Sequence, residues 1–181
     1  MLATKRLRAA AEAERSTLAA AARARTMEAM AIAQREGNAA LAARVHYNFG
    51  DIDRLTGDPA SALTQFDHAL AIETNLRSPT FLSHLLIARS EVLLALERWD
   101  DALDASLRAF EHAAQHRPSL DTATASGNLA DLFARREDAV QSAEWRQRAE
   151  HEKEDYRRES QRVREQLAEL WSQRSRWAAA A

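Results

Sequence analysis

Apolar positions in this chain recur every three or four residues and almost nowhere alternate. From the start, Leu2, Leu7, Leu18, Met27, Met30 and Ile32 run through a field of alanines until Gly37-Asn38. That spacing belongs to a helix, and Ser16-Thr17, the only internal cap candidate, leaves one long helix or two short ones. Further helices are predicted from about Ala39 to Thr56, Pro59 to about Arg77, Thr80 to Leu96, Asp100 to about Arg117 and Ser119 to about Arg135. The breaks are Gly57-Asp58-Pro59, Ser78-Pro79, a turn at Glu97-Arg98-Trp99-Asp100, Arg117-Pro118 and a weak boundary at Arg136-Glu137-Asp138. Proline pushes the residue before it out of helical geometry. From Asp138 to about Trp177 nothing interrupts helix. No run alternates Val, Ile and Thr in the manner of a strand, so an all-α protein is expected.

The stretch Asn48 to Leu70 carries the most local information. Gly57 can adopt the left-handed conformation that closes a helix. Asp58 can cap the next helix, and Pro59 suits the first helical position. Gly50 on the first helix, with Ala62 and Ala69 on the second, supplies small residues where two antiparallel backbones approach.

These features repeat. Taking Ala43 as a start, Gly50 is the eighth residue and Ala62 the twentieth. Starting again at Ser83 puts Ser90, Ala102 and Ala109 at the corresponding positions, and a start at Ala123 gives Ala130, Ser142 and Ala149. Leu93 and Phe133 correspond to Asp53, and Asn128-Leu129-Ala130 echoes Asn48-Phe49-Gly50. The period is 40 residues, the difference between the starts 43, 83 and 123.

The pattern resembles the tetratricopeptide repeat (TPR) family, whose motif is W-x2-L-G-x2-Y followed by A-x3-F. Here it reads His46-x2-Phe49-Gly50-x2-Asp53, then Ala62-x3-Phe66. His46 and Asp53 depart from the aromatic positions, as do Arg89 at a usual Leu position and Arg146 at the Phe position. The period exceeds the family's ~34 residues, which resembles the extended repeats of bacterial signalling regulators. The resemblance covers about residues 43–150. It implies a right-handed alpha-alpha superhelix, a TPR-like solenoid whose concave groove is lined by the first helix of each pair. Groove candidates carried over position by position are Arg44, Tyr47, Asn48, Asp51 and Arg54, then His84, Ile87 and Glu91, then Asn128, Asp131 and Arg135. Ala88, Leu94, Thr124, Gly127 and Ala134 complete the inward set.

An acidic residue falls at the ninth position of every repeat: Asp51, Glu91, Asp131. Such a ladder suits a basic or N-terminal peptide segment. Intrahelical pairing competes, Asp51 with Arg54 and Asp131 with Arg135, at spacings worth about 0.2–0.5 kcal/mol each. Glu91 has no such neighbour on its own helix. Asn48 and Asn128 resemble the asparagines by which some TPR domains clamp a peptide carboxylate, but Tyr47, Ile87 and Gly127 stand where the accompanying lysines belong.

Composition adds constraints. The 181 residues suffice for one domain; they are 46% hydrophobic and 29% charged, with 4 Gly, 3 Pro and no Cys. Few breakers favour helix throughout. The absence of cysteine excludes disulfides and thiolate sites. A formal net charge of −2 gives no case for nucleic acid or a membrane surface as partner. No stretch approaches the ~20 apolar residues of a membrane span, and Glu12, Glu14 and Arg15 interrupt any export core after Lys5, Arg6 and Arg8. A cytoplasmic protein is expected. His112 and His116 lie four apart but have no evident third ligand, so neither a metal nor another cofactor is expected. Phosphate loops, nucleophile elbows and zinc-protease motifs are absent, and no enzyme is expected.

The last segment has a seam of its own. Tyr156, Ser160, Val163, Leu167, Leu170, Arg174 and Trp177 alternate four and three apart, a heptad pattern. It fits a coiled-coil connector, making Tyr156, Val163, Leu167, Leu170, Trp171 and Trp177 a possible homodimer interface. It equally fits a cap folded back over the last repeat, with Leu167, Leu170 and Trp171 covering the open end. The expected organisation is an N-terminal helical segment (1–38), three repeats (39–150) and a long C-terminal helix (151–181). The expected function is non-enzymatic binding of a protein or peptide, as a sensory or scaffolding part of a bacterial signalling protein. The alternative is a homodimerising regulatory module preceding a diguanylate cyclase or DNA-binding output domain. A helical metal protein or enzyme is the remote alternative.

Overall fold

The computed structural model describes the backbone of residues 2–76, 79–115 and 119–180, and the side chains of 13–76, 81–115 and 119–171. Among the described residues the chain is helix and short turns, with no strand. The helices are α1 (Leu2–Glu36), α2 (Ala39–Leu55), α3 (Pro59–Leu76), α4 (Pro79–Ala95), α5 (Trp99–Ala114), α6 (Leu120–Arg135) and α7 (Ala139–Ala180). The N-terminal segment is a single helix. The second half of the Ser78-Pro79 break opens α4, while Arg77, Ser78 and His116 to Pro118 lie outside the described residues. The turn expected at residues 97–100 is shorter than that: Trp99 is the first residue of α5.

One turn geometry recurs four times. Gly37, Gly57, Glu97 and Glu137 have φ of 59°, 85°, 59° and 60°. The amide after each donates to the carbonyl five residues back: Asn38 to Ala33, Asp58 to Asp53, Arg98 to Leu93 and Asp138 to Phe133, at 2.9–3.0 Å. This is the double closure of a helix whose final residue turns left-handed. Three of the following residues then cap the next helix, with Asn38, Asp58 and Asp138 side chains accepting from the amides of Leu41, Ser61 and Gln141 at 3.0 Å. Arg98 makes no such bond. The turns at 57, 97 and 137 carry the 40-residue period into the backbone.

Small residues sit where that period puts them. Gly50, Ser90 and Ala130 on the first helices are buried, as are Ala62, Ala102 and Ser142, and Ala69, Ala109 and Ala149, on the second. Larger side chains fill the space between hairpins: Phe66, Leu85, Val92, Leu93 and Leu132 form one continuous core.

Each helix packs on its neighbours in sequence. Beyond that, the backbones of α2 and α4 approach closely, as do those of α4 and α6. Among the described residues those of α3 and α5 stay apart, as do those of α5 and α7, which reach each other through longer side chains such as Phe110 and Trp145. The first helices of successive hairpins therefore crowd together while the second helices splay apart. This difference curves the stack and makes α2, α4 and α6 its inner layer. The molecule is an all-α helical solenoid with a long C-terminal helix.

The two ends differ. At the Tyr position of the first repeat stands Asp53, buried and ion-paired with Arg23 of α1. Arg23 also lies over the Phe49 ring, 5.9 Å from its centroid. The polar substitution is the dock for α1. At the other end the second helix of the third repeat runs unbroken into the C-terminal segment as α7, which packs along α6 and, through Trp145 and Arg148, against Phe110 of α5. Among the described residues α7 does not turn back, because nothing between Ala139 and Ala180 interrupts helical hydrogen bonding.

Candidate functional site

The inner layer carries a cleft of about 220 Å³ built from three helices. α2 contributes Tyr47 and Arg54, α4 contributes His84, Ile87, Ala88 and Glu91, and α6 contributes Leu120, Asp121 and Thr124. Tyr47 and Arg54 are seven residues apart, two turns of one helix, and so share a face. His84, Ile87, Ala88 and Glu91 do the same on α4.

A polar chain crosses the three helices. The Tyr47 hydroxyl lies 2.9 Å from His84 Nε2. His84 Nδ1 is 3.5 Å from an Asp121 carboxylate oxygen. The buried Ser83 hydroxyl donates to the other oxygen at 2.8 Å. With its proton on Nδ1, a neutral His84 accepts from Tyr47; a protonated His84 donates at both nitrogens. The hydrogen bond that His84 donates to Asp121, partly offset by burial, holds the imidazole above its ordinary value of 6.5. The bonds from His84 and Ser83 hold Asp121 below its ordinary 3.8, again against burial. The Tyr47 phenol is pushed up to about 12, chiefly by burial and then by Asp51, with Glu91 and Asp121 adding to it and Arg54 opposing. Tyr47 is thus a neutral hydroxyl, held in an acidic neighbourhood, and its ring packs on Phe66, Phe81 and His84 with centroids 5.2–5.7 Å away.

Arg54 forms the second cluster. It donates to Asp51 at 2.6 and 3.2 Å and lies 3.7 Å from Glu91 across the helix boundary. Its guanidinium is held even more firmly protonated by the bonds it donates to Asp51. Glu91, without a partner on its own helix, takes one from the adjacent helix. The intrahelical Asp51–Arg54 pair is present as expected.

The third rung of the ladder departs. Asp131 faces Arg146 of α7 at 3.9 Å, and Arg135 lies over the Trp99 ring at 5.1 Å instead of pairing with Asp131. Asn128 donates to Ser90 at 3.1 Å, joining α6 to α4. Arg44 lies 5.1 Å from the Phe81 centroid, and Asn48 is exposed. Of the groove candidates, Tyr47, Arg54, His84, Ile87 and Glu91 line the cleft, with Asp51 behind Arg54; Arg44, Asn48, Asn128, Asp131 and Arg135 do not. Asp121 and Leu120 were not among them, because both precede the repeat start at Ala123. The available signal was an acidic residue in the first turn of a helix directly after its Ser119 cap.

Among the described residues no three His, Asp or Glu are grouped to hold a metal, and no helix is long and apolar enough to cross a membrane. His112 is partly buried, while His116 lies outside the described residues.

Fold and cleft together define a class: an all-α helical-repeat solenoid with a polar cleft on its inner helices. Among solved structures it is similar to BtubC (BKLC) from P. vanneervenii, with a TM-score of 0.63 and 20% sequence identity. The match covers 76% of this chain but 56% of that one, so the chain spans little more than half the length of its neighbour. At that identity the likeness shows the fold alone. No protein-family model and no curated protein matches the sequence.

Proposed function

We propose that this protein is a non-enzymatic, TPR-like binding module that takes a protein or peptide segment into the cleft between α2, α4 and α6. One observation carries the reading: residues from three successive hairpins converge on a single hollow in the inner layer. Its chemistry suits an extended segment bearing a cationic side chain. Asp51, Glu91 and Asp121 surround the cleft with only Arg54 and a titrating His84 as counter-charge. Ile87 and Leu120 offer apolar contact between them. In the cell the module would serve as the sensory or scaffolding part of a bacterial signalling system in the cytoplasm.

The test is selection of displayed random peptides against the purified chain. Wild type should enrich sequences with a Lys or Arg at a fixed position. Glu91→Lys should weaken those peptides by about tenfold or more, the scale of one lost charge-assisted contact, while its thermal melt barely moves. Tyr47→Ala should weaken them likewise and also lower the melt, since its ring packs on Phe66, Phe81 and His84. Equal recovery by wild type and both variants would remove the cleft from the function.

A further inference from the structure

α7 extends well beyond the helix that supports it. Its 42 residues span about 63 Å, whereas the 16 of α6 span about 24 Å. Among the described side chains its last buried residue is Ala149. Beyond that point the large apolar side chains exposed on α7 are Tyr156, Val163, Leu167, Leu170 and Trp171. These are not scattered. With Tyr156 placed at heptad position d, Val163 and Leu170 are also d, Leu167 is a, and Trp171 is the flanking e. Lys153, Ser160 and Arg174 take the remaining a positions and Trp177 the next d; the side chains of the last two lie outside the described residues.

We propose that this stripe is covered by the same stripe of a second copy of this chain, in a parallel, in-register, two-stranded coiled coil over roughly residues 153–177. The charges flanking the stripe decide both partner and direction. Glu152 and Glu159 occupy successive g positions, and Arg157 and Arg164 occupy successive e positions. In a parallel pair each g residue meets the e residue five further along the partner. Glu152 then faces the partner's Arg157, and Glu159 the partner's Arg164, twice each by symmetry. In an antiparallel pair e meets e and g meets g, which sets Arg against Arg and Glu against Glu. The sequence is self-complementary in one orientation and self-repelling in the other. Ser160 inside the seam adds to register, since a polar a residue is tolerated best opposite its own copy.

The chain has no cysteine, so a single introduced thiol reports geometry directly. Light scattering on the full chain should give a dimer. Leu167→Glu should weaken it by about tenfold or more and leave the melt of the repeats unchanged, since Leu167 lies beyond the last buried residue. Ser160→Cys in a glutathione buffer should form a cross-linked dimer, because equivalent a positions face each other only in a parallel register. A chain that stays monomeric at the highest soluble concentration overturns the proposal. So does a dimer that Leu167→Glu leaves intact, or one in which Ser160→Cys fails to cross-link.

Discussion

Gly50 leaves no room for a single added carbon. A Cβ built there would stand 2.6 Å from Phe66 Cε1 and 3.1 Å from the Ala62 carbonyl oxygen. Gly50→Ala should therefore cost about 1–3 kcal/mol as α2 and α3 are pushed apart, measured by urea denaturation. Ser90 and Ala130 occupy the same repeat position without difficulty, because no phenylalanine lies opposite: residues 106 and 146 are Ser and Arg. A different residue-scale effect is expected at His84. A histidine held above its ordinary value contributes stability that is complete below about pH 6.5 and disappears as pH rises through the folded value. Asp121, held low, contributes above about pH 3.8 and loses that contribution as pH falls through its lowered value. The pair is at full strength between these limits. The destabilisation caused by His84→Gln should then be largest near pH 5–6 and shrink above neutrality, followed by urea midpoints across that range. A pH-independent difference would exclude the ion pair as the cause. Tyr47, His84 and Glu91 were legible in the sequence because repeat register alone assigns them to one face. Asp121 and the Arg54–Glu91 bridge were not, since contacts between helices follow the curvature of the stack and not any spacing along one chain segment.

The element that repeats most faithfully is a turn. Gly57 suits the left-handed position, but Glu97 and Glu137 hold φ near 60° with a Cβ in place. A side chain there costs about 1–2 kcal/mol, partly offset by the greater freedom that glycine loses on folding. Glu97→Gly and Glu137→Gly should each stabilise by about 0.5–1 kcal/mol, seen as a raised urea midpoint with unchanged slope. Arg98 is the one residue after these turns that leaves the next helix uncapped. Arg98→Asn should add about 1 kcal/mol by supplying the acceptor that Asn38, Asp58 and Asp138 already provide, less whatever the exposed Arg98–Asp101 pair contributed. Most element boundaries could be read from the chain to within a residue or two, because Gly57 and the prolines are strong punctuation, while the ends of α5 and α7 lie about three residues from their expected places. The unmarked turns were harder. Trp99 looks like part of a loop until the left-handed Glu97 is seen to have closed α4 already, leaving Trp99 free to start α5.

At the scale of the whole molecule, a stack in which each hairpin touches mainly its neighbours should come apart from its ends rather than all at once. The N-terminal end is the clearest place to see this, since among the described residues α1 packs on α2 alone and is held through an ion pair that buries the Asp53 carboxylate under Arg23. Removing the arginine strands a buried charge, and breaking such a pair from one side costs about 3–5 kcal/mol when both partners are buried. Arg23 is 48% exposed, so Arg23→Ala should fall below that range. Asp53→Leu, which installs the residue the second repeat carries at Leu93, removes the stranded charge along with the dock and should cost less than Arg23→Ala. In both variants hydrogen exchange should quicken across α1 while amides of α4 and α6 keep their protection, because the loss stays within one interface. If exchange accelerates equally in α1 and α6, the chain folds as one cooperative block, and the solenoid's independence of parts does not extend to its energetics.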